Sequence, residues 1–206
     1  MIIKCFTAGQ LENNMYLVID ENTKKAVLID ASALIPEITD TVKAYGADVE
    51  YILLTHGHFD HIMGLNELKK ALNAKAVICH DDLIISDNIN EFTRLFGGLC
   101  ESVPPVYEKF VKDGDIITVG DMQIRVIHTP DHTQCDVCYL IEDKLFSGDT
   151  LFRESVGRTD LFGGNFQELL DSVKNKLFKL DDNTTVYPGH GPATTVGHEK
   201  KYNEIL

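Results

Sequence analysis

The segment Thr55-His56-Gly57-His58-Phe59-Asp60-His61 limits what this chain can fold into more than any other stretch. It packs three imidazoles and a carboxylate into the six positions from His56 to His61. Directly before it runs the apolar stretch Tyr51-Ile52-Leu53-Leu54, which reads as a buried strand. Directly after it, Ile62, Leu65, Leu68 and Leu72 recur at helical spacing. The cluster therefore occupies a turn between a strand and a helix. In open α/β sheets, ligands gather at the carboxyl ends of strands. Imidazole and carboxylate are the groups that zinc and iron accept at neutral pH. The plain alternative is a polar loop that is rich in histidine.

A chain of 206 residues is long enough to bury a sizeable core, and we read residues 1–206 as a single domain. The formal charge of -13 argues against nucleic acid or an anionic membrane as the main partner, since both need a basic surface. Cys5, Cys79, Cys100, Cys135 and Cys138 are scattered and odd in number, so no disulfide framework is expected. The start, Met1 to Ala8, reads as a strand rather than as the apolar core of a signal peptide. No apolar run approaches a membrane span. These features together predict a cytoplasmic location, where thiols stay reduced.

The pattern predicts strands at Met1 to Phe6, Met15 to Asp20 and Lys25 to Asp30, with Asn13-Asn14 and Glu21-Asn22 as turns. A helix from Ile35 to Tyr45 ends at Gly46. Next come the strand Tyr51 to Leu54, the histidine loop, a helix from Ile62 to Asn73 and a short strand from Lys75 to Cys79. Residues 81–105 read as an excursion with a short helix at Asp81 to Asn88 and another at Asn90 to Cys100. Strands are expected at Asp115 to Val119, Met122 to His128, Val137 to Glu142 and Lys144 to Ser147. A loop from Asp149 to Asn165 leads to a helix from Phe166 to Leu180. The strand Thr184 to Tyr187 and a terminal helix from about Gly197 finish the chain. Strands outnumber helices in both halves, which suggests two sheets inside with helices outside.

Three later segments each put a candidate ligand directly after a strand: Thr129-Pro130-Asp131-His132-Thr133, Ser147-Gly148-Asp149-Thr150 and Tyr187-Pro188-Gly189-His190-Gly191. Singly, each is ordinary. Together with the first cluster they bring five histidines and two aspartates to strand ends.

In their chain order, these four motifs resemble those of the metallo-β-lactamase-fold hydrolases, over about Asp20 to His190. Gly148 to Phe152, with Gly157-Arg158-Thr159-Asp160, is similar to the glyoxalase II-like branch, whose members act on hydroxyacylglutathione. The stretch Pro188 to Thr195 resembles short, single-domain members of that branch. The resemblance implies an α/β fold, a four-layer αββα sandwich of the metallo-β-lactamase type. It implies two divalent metal ions, zinc first, with iron or manganese also accepted by such donors. His56, His58 and His132 would hold one metal, and Asp60, His61 and His190 the other, with Asp149 bridging. The implied activity is hydrolysis of a small-molecule thioester by a hydroxide shared between the metals, with Asp60 also orienting it. Asp30, after its strand, is the candidate hydrogen-bond partner of a ligand histidine. Arg153 and Arg158 are candidates for an anionic substrate or, equally, for structural ion pairs.

Departures from the family pattern bear on the substrate. Asp131 stands where the family commonly has Gly, and as an aspartate it is expected to face solvent. Cys135 and Asp136 stand where Gly-Ser is common. Cys138 is expected to pack in the following strand, and Cys135 to be a small residue near the site. Full-length glyoxalase II has a further helical domain that supplies glutathione contacts, and with the sequence ending at Leu206 little discrimination between thiol carriers is expected. A β-lactamase of the familiar dinuclear kind would show Cys in place of Asp149. The chief rival reading is a mononuclear iron persulfide dioxygenase, which would use only His56, His132 and Asp149. A metal-binding module without catalysis is a second.

Overall fold

The computed structural model describes residues 1–9, 11–95 and 103–206. They fall into two units, Met1–Phe110 with Val119–Asp121, and Val111–Thr118 with Met122–Leu206.

The first unit is built on a six-stranded sheet in sequence order. Its strands are β1 (Ile2–Ala8), β2 (Asn13–Ile19), β3 (Lys25–Ile29), β4 (Asp48–Leu53), β5 (Lys75–Cys79) and β6 (Lys109–Val111). Helices α1 (Pro36–Tyr45), α2 (Phe59–Ile62), α3 (Leu65–Leu72), α4 (Leu83–Ser86) and α5 (Ile89–Leu95) connect them. β1 to β3 form an antiparallel meander. β3, β4 and β5 then run parallel, so their carboxyl ends share one edge of the sheet. Strands buried on both faces need apolar side chains throughout, and β2, Ala26 to Ile29 and Ile52 to Leu54 meet that need in all but Asn13 and Asn14. Fully burying each such side chain is worth about 1.5–3 kcal/mol. Ile38 of α1, with Leu65 and Leu68 of α3, closes one face of this core.

The second unit carries another six-stranded sheet, ordered β14-β13-β10-β9-β8-β7. In chain order its strands are β7 (Ile116–Val119), β8 (Met122–His128), β9 (Val137–Ile141), β10 (Lys144–Gly148), β13 (Thr185–Pro188) and β14 (Thr194–Thr195). A separate hairpin joins β11 (Leu151–Phe152) to β12 (Ser155–Val156). The helices are α6 (Phe166–Asn175) and α7 (Val196–Tyr202). Asn165 caps α6 by accepting from the N–H groups of Gln167 and Glu168 at 3.0 and 3.3 Å, a contact worth about 1 kcal/mol. Leu169, Val173 and Leu177 pack with Leu145, Leu151 and Val186 as this unit's core.

The mixed α/β order with two sheets agrees with the sequence reading; several details do not. Asn13 and Asn14 are not a turn: they open β2 and are buried. The helix expected over 62–73 is two helices, α2 and α3, parted at Met63-Gly64. Gly64 lies against Ala33 so closely that a Cβ there would come within 2.5 Å of the Ala33 Cα, so the chain kinks around the contact. β6, β11, β12 and β14 were not expected, because two or three residues are too few to show alternation. The helix expected to reach Leu180 gives way at Lys176 to a 3-10 turn at Leu177–Lys179. Of the helix expected at 90–100, Ile89–Leu95 is helical and the rest lies outside the described residues.

The scattered cysteines imply no disulfide framework. Cys79 and Cys135 are disulfide-bonded, while Cys5 and Cys138 are free thiols. Cys138 packs inside β9 as expected, and burial pushes its thiol up to about 12.

Candidate metal centre

In the first unit, the shared carboxyl edge of β3, β4 and β5 brings three chain segments together. β4 leads through Leu54 and Thr55 into His56. β3 delivers Asp30 beside it, and the chain leaving β5 delivers Asp82. Asp30 is 1% exposed and sits in the left-handed region at φ 61, which aspartate tolerates better than most residues. That bend turns its carboxylate back onto the neighbouring strand end. Its Oδ1 accepts from the Thr55 backbone N–H at 2.9 Å and from the Thr55 hydroxyl at 3.0 Å. Its Oδ2 lies 2.9 Å from Nδ1 of His61, which donates to it.

With Nδ1–H committed to Asp30, His61 carries its lone pair on Nε2, the tautomer a metal takes. The Asn13 amide nitrogen lies 2.9 Å from that Nε2, and Asp60 Oδ2 lies 3.6 Å from it. His56 is fully buried, and its Nδ1 is 3.1 Å from the Thr55 hydroxyl. The His56 ring centroid lies 4.8 Å from that of His58 and 4.0 Å from that of His61. Buried Asp82 accepts from the Gly57 N–H at 2.8 Å and so holds the loop between the first two imidazoles. A Cβ on Gly57 would come within 2.8 Å of the Asp82 carbonyl oxygen, which accounts for glycine there. Asp82 and Asn13 were missed by the sequence reading, since single polar residues at strand ends and turns are too common to stand out.

In the second unit, β10 and β13 run parallel, and β8 points the same way across the intervening antiparallel β9. Asp149, His190 and His132 follow the ends of these three strands. His132 donates from Nδ1 to the carbonyl oxygen of Arg158 at 2.6 Å. Its Nε2 then faces Asp149 Oδ2 at 3.7 Å, and His190 Nε2 faces the same oxygen at 3.6 Å. These separations are too long for hydrogen bonds. Two donors held on one zinc at 2.0–2.2 Å with tetrahedral angles stand about 3.4 Å apart, so the spacing suits coordination. One carboxylate oxygen placed between two imidazoles also suits a bridging ligand.

Asp131 is not exposed as expected but fully buried. It faces inward because its carboxylate accepts from the backbone N–H of His132. Burial pushes its carboxyl up to about 7. Asp136, also buried, accepts from the N–H of Thr133, so both acids shape the turn around His132. Of the two arginines, Arg158 forms a two-pronged pair with Asp160 at 2.8 Å for each contact, which holds the Asp160 carboxyl down at about 2. Arg153 is half exposed, 3.8 Å from Glu154.

The donors in each unit are imidazole and carboxylate, and outer hydrogen bonds to Asp30 and to the Arg158 carbonyl orient His61 and His132. That is the chemistry of a site for divalent metal ions.

Comparison with known proteins points the same way. The sequence model of the metallo-beta-lactamase superfamily matches residues 8–190. An uncharacterized protein of Aquifex aeolicus is 38% identical, covering 98% of this chain and 96% of its own length. The hydroxyacylglutathione hydrolase GloC of Haemophilus influenzae is 28% identical over 100% of this chain and 98% of its own. Among solved structures, the B3 metallo-beta-lactamase BLEG-1 superposes with a TM-score of 0.91 at 32% identity, covering 100% and 99% of the two chains. TTHA1623 in a di-iron-bound form gives 0.88 at 34% identity, covering 98% and 100%. ETHE1 from Myxococcus xanthus gives 0.78 at 30% identity, covering 99% and 84%. The chain, with its two sheets and its His/Asp donor sets, belongs to the metallo-beta-lactamase superfamily of metal-dependent hydrolases.

Proposed function

We propose that this protein is a dinuclear metal-dependent thioesterase of the glyoxalase II-like kind. The observation that carries the reading is the position of Asp149 Oδ2, 3.7 Å from His132 Nε2 and 3.6 Å from His190 Nε2. A carboxylate so placed would serve both ions of a dinuclear site. His56, His58 and His132 would hold one ion, and Asp60, His61 and His190 the other. Such a pair, when bound, lowers the pKa of a shared water and stabilises negative charge on a carbonyl oxygen. Zinc is the first candidate, and the di-iron form of TTHA1623 makes iron the second.

The chain's own side chains do the rest. Asp30 and Thr55 fix the tautomer of His61, the Arg158 carbonyl fixes that of His132, and Asp82 fixes the loop between His56 and His58. Asp60 accepts a hydrogen bond from the attacking water and turns it toward the acyl carbon. A thiolate leaves without a dedicated acid, and the reading invokes none. The named activity of GloC supports a thioester substrate. The name of BLEG-1 puts β-lactam opening on the list to be assayed, even though Asp stands at position 149.

Among the described residues, no helix is long and apolar enough to cross a membrane. The test of function is turnover by the metal-loaded protein of S-D-lactoylglutathione, simpler thioesters and a chromogenic cephalosporin. Preferred hydrolysis of thioesters supports the reading. Preferred opening of the β-lactam refutes it.

A further inference from the structure

We propose that Glu199, on the last helix, is a positioning residue for the metal ligands of the second unit, acting through the β11–β12 hairpin. The inference rests on the dinuclear reading above. Glu199 is 1% exposed, and a buried carboxylate is costly unless donors surround it. It accepts from the Thr194 hydroxyl at 2.5 Å, from the Glu154 backbone N–H at 2.8 Å and from the Asn203 amide at 3.0 Å. Two of these donors come from the end of its own helix and the strand before it, while the third is the backbone of a two-residue hairpin turn.

That turn is strained: Glu154 sits at φ 55, a conformation that side chains other than Asn, Asp and Gly seldom adopt. Glu199 holds its N–H, and Asn203 donates to the next carbonyl, that of Ser155, at 3.0 Å. The hairpin and the two residues that follow it, Gly157 and Arg158, together reach all three candidate ligands of the unit. The Phe152 ring meets the His190 ring edge-on, with centroids 6.2 Å apart. Just past β12, Gly157 packs so tightly on Asp149 that a Cβ would lie 1.8 Å from its carbonyl oxygen and 3.5 Å from the His132 Cβ. Arg158 then accepts the Nδ1–H of His132. A shift of the hairpin therefore changes the aim of His132, Asp149 and His190 together.

The experiment measures zinc affinity by chelator competition, and the visible spectrum of the cobalt-substituted protein, for wild type and variants. Glu199→Ala should weaken zinc binding about tenfold and alter the cobalt spectrum, in the range known for partners that orient metal ligands. Glu199→Gln should stay within about threefold, because its amide oxygen can still accept from the Glu154 N–H while its NH2 donates to the Thr194 hydroxyl. Asn203→Ala, which keeps the carboxylate, should fall between the two. Val173→Ala, in the core of the same unit, should lower the melting temperature while leaving affinity and spectrum unchanged. Glu199→Ala or Asn203→Ala with wild-type affinity and spectrum would overturn the inference, as would equal weakening by Val173→Ala. A wild-type protein that takes up no metal would instead sink the dinuclear reading, and the inference with it.

Discussion

His61 donates from Nδ1 to the Asp30 carboxylate at 2.9 Å, and both groups are buried where two parallel strands end. Removing the carboxylate leaves the imidazole without the group that sets its tautomer. On the dinuclear reading, Asp30→Ala should therefore weaken binding of one of the two metals by about 10- to 100-fold. Chelator competition should show one tight and one weak site, in place of two tight ones.

Asp60 lies in the first turn of α2 beside His61, its Oδ2 3.6 Å from the imidazole Nε2. As a group that orients the attacking water, it should matter more to turnover than to folding. Asp60→Ala should lower kcat for a thioester by about 100-fold or more, with an unchanged circular dichroism spectrum. Turnover that survives the change would remove Asp60 from the mechanism.

Gly157 tolerates no side chain, because a Cβ would stand 1.8 Å from the Asp149 carbonyl oxygen. Gly157→Ala should cost about 1–3 kcal/mol or more in chemical denaturation, as other overpacked sites do. It should also reduce metal content, since the displaced backbone carries Asp149.

Asp20 closes β2 and gathers the Thr23 hydroxyl at 2.5 Å, the Asp121 N–H at 2.7 Å and the Asn22 N–H at 3.0 Å. These donors, the Thr23 hydroxyl first, hold its carboxyl down at about 2, against 3.8 for the ordinary group. A carboxyl whose folded value is depressed stabilises the fold above its unfolded value. That stabilisation fades as pH falls from about 4 to about 2. Asp20→Asn should melt at lower temperature than wild type at pH 7, and the gap should narrow over that acid range.

The strand-end positions of the candidate ligands were legible in the sequence because His56, His58, Asp60 and His61 crowd one loop between an apolar strand and a periodic helix. Periodicity likewise placed β3, β5, β8 and α1 closely. The outer groups were harder to read. Asp30 could be suspected from its place after a strand, but Asn13 looked like a turn residue and Asp82 was only one position of an expected short helix. Asp131 was misjudged because residue type favours exposure, and only the fold shows that a backbone N–H takes the place of water there. The β11–β12 hairpin was invisible, since two-residue strands leave no alternation to detect. Its role comes from tight backbone packing at Gly157, which no side-chain pattern encodes.

Metal content per chain tests the dinuclear hydrolase most directly. Protein purified both aerobically and anaerobically, then analysed by elemental mass spectrometry, should carry about two ions of zinc or iron per chain and hydrolyse thioesters. One iron per chain, with oxygen consumed on glutathione persulfide and no thioester hydrolysis, would contradict it.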